Sequence, residues 1–256
     1  MFETLLVNVD GAVGQLTLNQ PAKRNPLSTT VLTELAAAAH WFDEQPEVKI
    51  VIVTGAGRIF SAGADLSIFD GASEVSSRQA WEQGYEMAVA LENMRALSIA
   101  AIRGWCIGGG LVLAAACDLR VAAEDAQFSL PEVDVGIPLG WGGIPRLVRE
   151  IGPALTKELV LTCRSFDARE AKAAGFLNRL VPEEELDAHV QSLAELLASK
   201  ATHTLVSTKR HVNAVTDQMV GTMRSWSDAD GFVTALADAE CTAARREYLR
   251  ARRRKT

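Results

Sequence analysis

Two glycine-bearing turns are the stretches of this sequence best suited to chemistry. "FSAGADL" (60–66) follows an apolar run at 49–54, and "GWCIGGGLVL" (104–113) follows another at 98–103. Glycine lets a backbone take positive φ and lets a ligand come close to the main chain. In the second turn a helix-like run begins at once. The first N–H groups of a helix have no intrahelical partner and carry partial positive charge, so an anionic oxygen is stabilised there. Two such turns side by side would each give one N–H to a single oxygen. In such an oxyanion hole one donor is worth about 3–4 kcal/mol. The competing reading is that the glycines serve tight packing. "GGG" is neither G-x-G-x-x-G nor a Walker loop, because no Lys-Ser/Thr follows it.

Other reactive side chains fall away. His40, His189, His203 and His211 lie in helix-like stretches without a Ser or Cys partner motif. Cys106, Cys117, Cys163 and Cys241 lack metal-ligand spacing, and the first two read as small core residues. No metal site is expected. Asp118 reads as a turn organiser, and Lys209 either as a phosphate contact or as a solvated lysine.

The elements that must position the turns follow from periodicity. "TLLVNVDGAVGQLTLN" is two strand-like runs around "DG", a hairpin signal. Ser28 opens a helix with the stripe Val31, Leu35, Ala38 and Phe42. "VKIVIVTGAG" is a buried strand, 75–95 a helix, "SIAAIRGWCI" strand-like, "LVLAAACD" a helix and "LRVAA" a strand. Strand, glycine turn and helix recur, which argues for an α/β domain. Gly136, Pro138, Gly140, Gly142 and Gly143 make a close-turning loop, followed by helices at about 141–161 and 167–173. "FLNRLVP" is a further strand. "EEE" after Pro182 opens a helix with the stripe Leu186, Val190, Leu193 and Leu197. From 201 on the chain reads as helices packing on the body or on a neighbouring subunit. The expected division is a core at 1–195 and a helical region at 196–256.

The 256 residues, 48% hydrophobic, are enough for one large domain with a real core. The net charge of −6 gives no electrostatic case for nucleic acid. The basic end "RREYLRARRRKT" is read as a solvated tail, with an anion contact as its alternative. The longest apolar run, "LVLAAAC", is too short to span a bilayer, and no secretory signal is visible. A cytoplasmic protein with reduced thiols is expected.

In order, "AKRNPLS", "FSAGADL", "GWCIGGGLVLAAACDLRVAA" and "AQFSLPEVDVGIPLGWGGIPRL" resemble the crotonase family, the enoyl-CoA hydratase/isomerase superfamily. The resemblance covers at least residues 5–180 and is looser beyond. It implies a spiral of ββα units with a C-terminal α-helical trimerisation region, assembling as a trimer or a dimer of trimers. It implies an acyl-CoA thioester as substrate and no separate cofactor. By motif position the N–H groups of Ala64 and Gly109 would hold the thioester oxygen and the enolate formed from it. Backbone near Ala62 would hold adenine, and Lys23 and Arg24 would meet phosphates. Asp65, Leu66 and Gly108 flank these turns and are counted as substrate-binding. Ser67 stands where a lysine is common, so one phosphate contact is expected to be missing.

The family's hydratases resemble one another in carrying two glutamates. One lies three residues after the oxyanion glycine, which here is Val112. The other lies in "F-x-x-P-E", which here is Glu132. Asp134, two residues on in a segment expected to be extended, should point away from Glu132. Hydration is best served by two carboxylates, and losing one costs about 10²–10⁴-fold. Moving a double bond from C3 to C2 needs one base, a pattern that some family isomerases resemble. The expectation is an acyl-CoA double-bond isomerase with Glu132 as sole base. The alternatives are a hydratase, another enolate-forming enzyme such as a decarboxylase or hydrolase, or a binder without catalysis. Apolar Val112 should also raise the pKa of a nearby glutamate. Trp141, where relatives often have a smaller residue, either fills core or interface or walls the acyl pocket.

Overall fold

The computed structural model describes residues 2–69, 74–225 and 227–254. The last two residues of the basic tail lie outside them. The chain opens with the expected hairpin, β1 (Leu5–Asp10) antiparallel to β2 (Val13–Leu18), Asp10 opposite Val13. Next come β3 (Pro26–Leu27) and α1 (Thr29–Asp43), then β4 (Ile50–Gly55), β5 (Gly63–Ala64) and α2 (Glu74–Asn93). A third unit is β6 (Leu97–Ile102), β7 (Trp105–Ile107) and α3 (Gly109–Ala115). A fourth is β8 (Leu119–Ala123), β9 (Gln127–Ser129) and α4 (Gly143–Thr162). From β2 onward the order β-β-α thus repeats four times. The first strand of each unit enters one large sheet, and the second enters a small sheet beside it. The large sheet runs β1-β2-β4-β6-β8-β11, the last strand being β11 (Arg179–Val181), and every pairing after β1 is parallel. The small sheets are β3-β5 and β10-β9-β7, with β10 at Phe166–Asp167. This is the spiral of ββα units.

Alternation along the strands explains how both faces of the large sheet are filled. Val51 and Val53 of β4 point into the main core, which holds the α1 stripe. Ile50 and Ile52 point to the opposite face, covered by Leu186, Val190 and Leu193 of α6 (Leu186–Ala198). A parallel sheet covered on both faces reads as a continuous apolar run, which is what "VKIVIV" is. Ser28 caps α1 by accepting from the Val31 N–H. A short helix, α5 (Ala168–Ala173), joins β10 to β11.

The C-terminal part is helical: α7 (Thr202–Val220), α8 (Asp228–Ala237) and α9 (Ala239–Arg253). Ala229, Phe232 and Ala235 of α8 join the main core. Residue 195 falls inside α6, so a helix crosses the expected boundary. Lys209 is not a solvated lysine. It is buried, and its ammonium donates to Asp118 Oδ2 (2.8 Å) and Ala96 O (3.0 Å). Asp118 also accepts from the N–H and hydroxyl of Ser98, so this pair ties α7 to the start of β6.

The basic end is likewise more than a solvated tail. Arg245 is buried, stacks over Phe69 at 4.8 Å, and donates to Gly136 O (3.3 Å) and Ala235 O (3.1 Å). Among the described residues no helix is long and apolar enough to cross a membrane.

Candidate active site

The spiral brings the two glycine turns together. Ser61 N–H donates to Trp105 O (3.1 Å) and Ile107 N–H donates to Ser61 O (3.0 Å), so the strand ends that lead into the turns lie side by side. A β-carbon on Gly63, whose φ is +82°, would come within 3.4 Å of the Gly109 amide nitrogen. Gly109 is the first residue of α3, so helix geometry supplies its N–H with no partner four residues back. Ala64 and Gly109 line one cavity of about 420 Å³, together with Ala62, Gly108, Val112 and Glu132.

Gly108 connects the second turn to the carboxylate. Its φ of +51° suits glycine, and its N–H donates to Ser129 O (2.8 Å). That bond pins the turn to the end of β9, from which the chain runs directly into Pro131 and Glu132. Glu132 is buried, with Oε1 against the Cα of Gly108 and no hydrogen-bond partner in the structure for Oε2. Burial strips water from the carboxylate and raises its pKa to about 7, against a smaller lowering by a backbone hydrogen bond. An acid that titrates near neutrality can take up and release a proton at ordinary pH.

Residues 132–136 form turns, not the extended segment expected: Val135 N–H donates to Pro131 O and Gly136 N–H to Val133 O. Asp134 is exposed, while Glu132 is buried. The two carboxylates therefore face apart, but through a turn. Val112, one helical turn beyond Gly109, presents buried methyl groups to the cavity.

Trp141 lies between two helices. A β-carbon on Gly109 of α3 or on Gly84 of α2 would overlap its indole, so both glycines make room for that ring. The backbone of Trp141 takes φ +60°. The buried guanidinium of Arg146 fastens it by donating to Trp141 O and Gly142 O, each at 3.1 Å, while pairing with Glu92. Trp141 is thus both core and cavity wall.

Two of the expected residues do not line this cavity. Lys23 is exposed on a short 3₁₀ turn (Pro21–Lys23) and does not line the cavity. Asp65 also misses it, because its Oδ1 accepts the Ser67 N–H at 3.0 Å and so turns toward its own backbone. Arg24, with φ +66°, and Leu66 do line the cavity. The Ala62 N–H is already given to Arg24 O at 2.9 Å. The sequence singled out neither Trp81 on α2 nor Tyr248 on α9 for this cavity; Arg252, also on α9, lies in the basic end whose alternative reading was an anion contact. Long-range packing brings them in. The Tyr248 phenol is pushed above its usual range, chiefly by burial.

The ββα spiral thus sets one buried carboxylate beside two glycine turns on a single cavity. The family model described as enoyl-CoA hydratase/isomerase matches residues 8–255, and the chain belongs to that family. It is 35% identical over 217 residues to a probable enoyl-CoA hydratase of Mycobacterium bovis, covering 83% of this chain and 82% of the relative. It is 34% identical over 244 residues to a peroxisomal Delta(3,5)-Delta(2,4)-dienoyl-CoA isomerase of Arabidopsis thaliana, covering 89% and 88%. Among solved structures, an enoyl-CoA hydratase/isomerase from Xanthobacter autotrophicus Py2 superposes with a TM-score of 0.88 at 29% identity, covering 98% of this chain and 96% of that one.

Proposed function

We propose that this protein is an acyl-CoA double-bond isomerase that converts 3-enoyl-CoA to 2-enoyl-CoA. The observation that carries the reading is the pairing of one buried carboxylate, Glu132, with a hydrocarbon side chain, Val112, in the same cavity. The amides of Ala64 and Gly109 hold the thioester oxygen. Glu132 takes a proton from C2, and the C–H electron pair moves into a dienolate whose charge rests on that oxygen. The protonated Glu132 then returns the proton at C4, the double bond settles between C2 and C3, and the carboxylate is regenerated. Its pKa of about 7 suits both halves of this cycle.

Arg24 and Arg252 at the cavity wall are suited to the phosphates of CoA. Assembly as a trimer or a dimer of trimers belongs to the same proposal. It is supported by the exposed apolar side chains Val212, Val215 and Met219 along α7.

Hydration is the second reading. The Tyr248 phenol, lining the cavity with Glu132, is the observation that favours it, since a phenol can orient a water where the second carboxylate is missing. Assay of the purified protein on 3-enoyl-CoA and 2-enoyl-CoA separates the two. Isomerisation faster than hydration supports the proposal; rapid hydration without isomerisation overturns it.

A further inference from the structure

Trp141 has a partner in Trp81. The two rings lie 5.6 Å apart between centroids, tilted by 55°. Trp81 in turn stacks on Phe232 of α8, with centroids 3.9 Å apart and planes 4° from parallel. Gly140 leaves room for the Trp81 indole nitrogen as Gly84 and Gly109 leave room for Trp141. Both tryptophans are buried, and both line the main cavity.

They also line a second one. A cavity of about 250 Å³ is lined by Ala64, Trp81 and Trp141 together with Leu32, Ala80 and the carboxylate-bearing Asp65. It reaches solvent past Thr29 and Ser67, which are exposed. The two cavities share Ala64 and the two indoles, so the tryptophan pair is the partition between them.

We infer that Trp81 and Trp141 together set the acyl-chain limit of this protein, closing the main cavity against a second cavity that would otherwise admit a longer chain. The inference rests on the acyl-CoA reading above and adds to it the class of substrate: short acyl chains. Both rings are held by glycines on one side and, for Trp81, by a stacked phenylalanine on the other, so neither swings aside cheaply. A chain that reaches the pair must stop or displace them.

Binding of saturated acyl-CoAs of increasing length, measured by calorimetry, tests this without reference to the reaction catalysed. Each methylene taken into an apolar pocket is worth about fourfold in affinity. In the unaltered protein the affinity should rise with length and then stop rising at the partition. In Trp141→Leu, and separately in Trp81→Leu, the rise should continue for several more carbons. Adding Ala80→Phe to Trp141→Leu fills the second cavity and should abolish that extension. A rise that runs unbroken to dodecanoyl-CoA in the unaltered protein overturns the inference. So does a break at the same length in both leucine variants. If butyryl-CoA itself does not bind, the acyl-CoA reading fails and takes the inference with it.

Discussion

The carboxyl of Glu132 lies against the Cα of Gly108: a β-carbon built on that glycine would sit 2.5 Å from Oε1. The residue that turns the chain into α3 thus also shapes the seat of the buried acid. Gly108→Ala should move the carboxyl and strain a φ of +51° together. The strain, at a φ/ψ pair that only glycine readily adopts, costs about 1–3 kcal/mol of stability. Displacing the acid should lower kcat by about 10²-fold. Thermal unfolding and steady-state kinetics measured side by side check this. A stability loss with unchanged kcat would remove Glu132 from the chemistry.

The titration of Glu132 gives a pH dependence with a definite sign. Unfolded, the carboxyl ionises near 4.5; folded, near 7. The folded state holds the proton more tightly, so the stability this group contributes is full below pH 4.5 and is lost as pH rises to 7. Glu132→Gln, which cannot ionise, should therefore be more stable than the parent at pH 8 by up to about 3 kcal/mol, at about 1.4 kcal/mol per pKa unit. Below pH 4.5 the difference should vanish. Turnover needs the carboxylate, so kcat/KM of the parent should climb tenfold per pH unit up to about pH 7 and then level. Denaturant titrations and rate profiles across pH 4–9 provide both readings.

Val112 tells against a second carboxylate, and replacing it reverses the argument. Val112→Glu places a second acid in the cavity, one helical turn past Gly109. Hydration should rise relative to isomerisation, by about 10²-fold or more if the new group aims a water. Two carboxylates sharing a buried site repel, so the rising limb of the pH profile should move upward. Product analysis from 2-enoyl-CoA and 3-enoyl-CoA gives the ratio. An unchanged ratio would mean that Val112 does not decide the reaction.

What the sequence made legible was local. The α1 stripe from Val31 to Phe42, the Ser28 cap and the alternation in "VKIVIV" are periodic signals, and each is found where periodicity puts it. The two turns were legible as glycine clusters, but their meeting depends on the parallel pairing of Ser61 with Cys106, which no short window encodes. Trp81, Tyr248 and Arg252 reach the cavity only through tertiary packing of α2 and α9. Asp65 stays off the main cavity because a short acid beside a turn can satisfy its own backbone, as it does with Ser67. Lys209 was misread because a buried lysine needs a partner, and Asp118, far away in sequence, supplies it. Gly84, inside α2, leaves the space that the Trp141 indole occupies, a role that no short window of sequence shows.

The central claim is that one group, Glu132, moves a proton from C2 to C4. A single-turnover reaction with 3-enoyl-CoA carrying deuterium at C2 tests it most directly, with the product examined by mass spectrometry and NMR. The account predicts 2-enoyl-CoA with part of the deuterium at C4, because a buried acid exchanges slowly with water during one turnover. A 3-hydroxyacyl-CoA product, or a 2-enoyl-CoA whose newly added C4 hydrogen comes only from solvent, would contradict it.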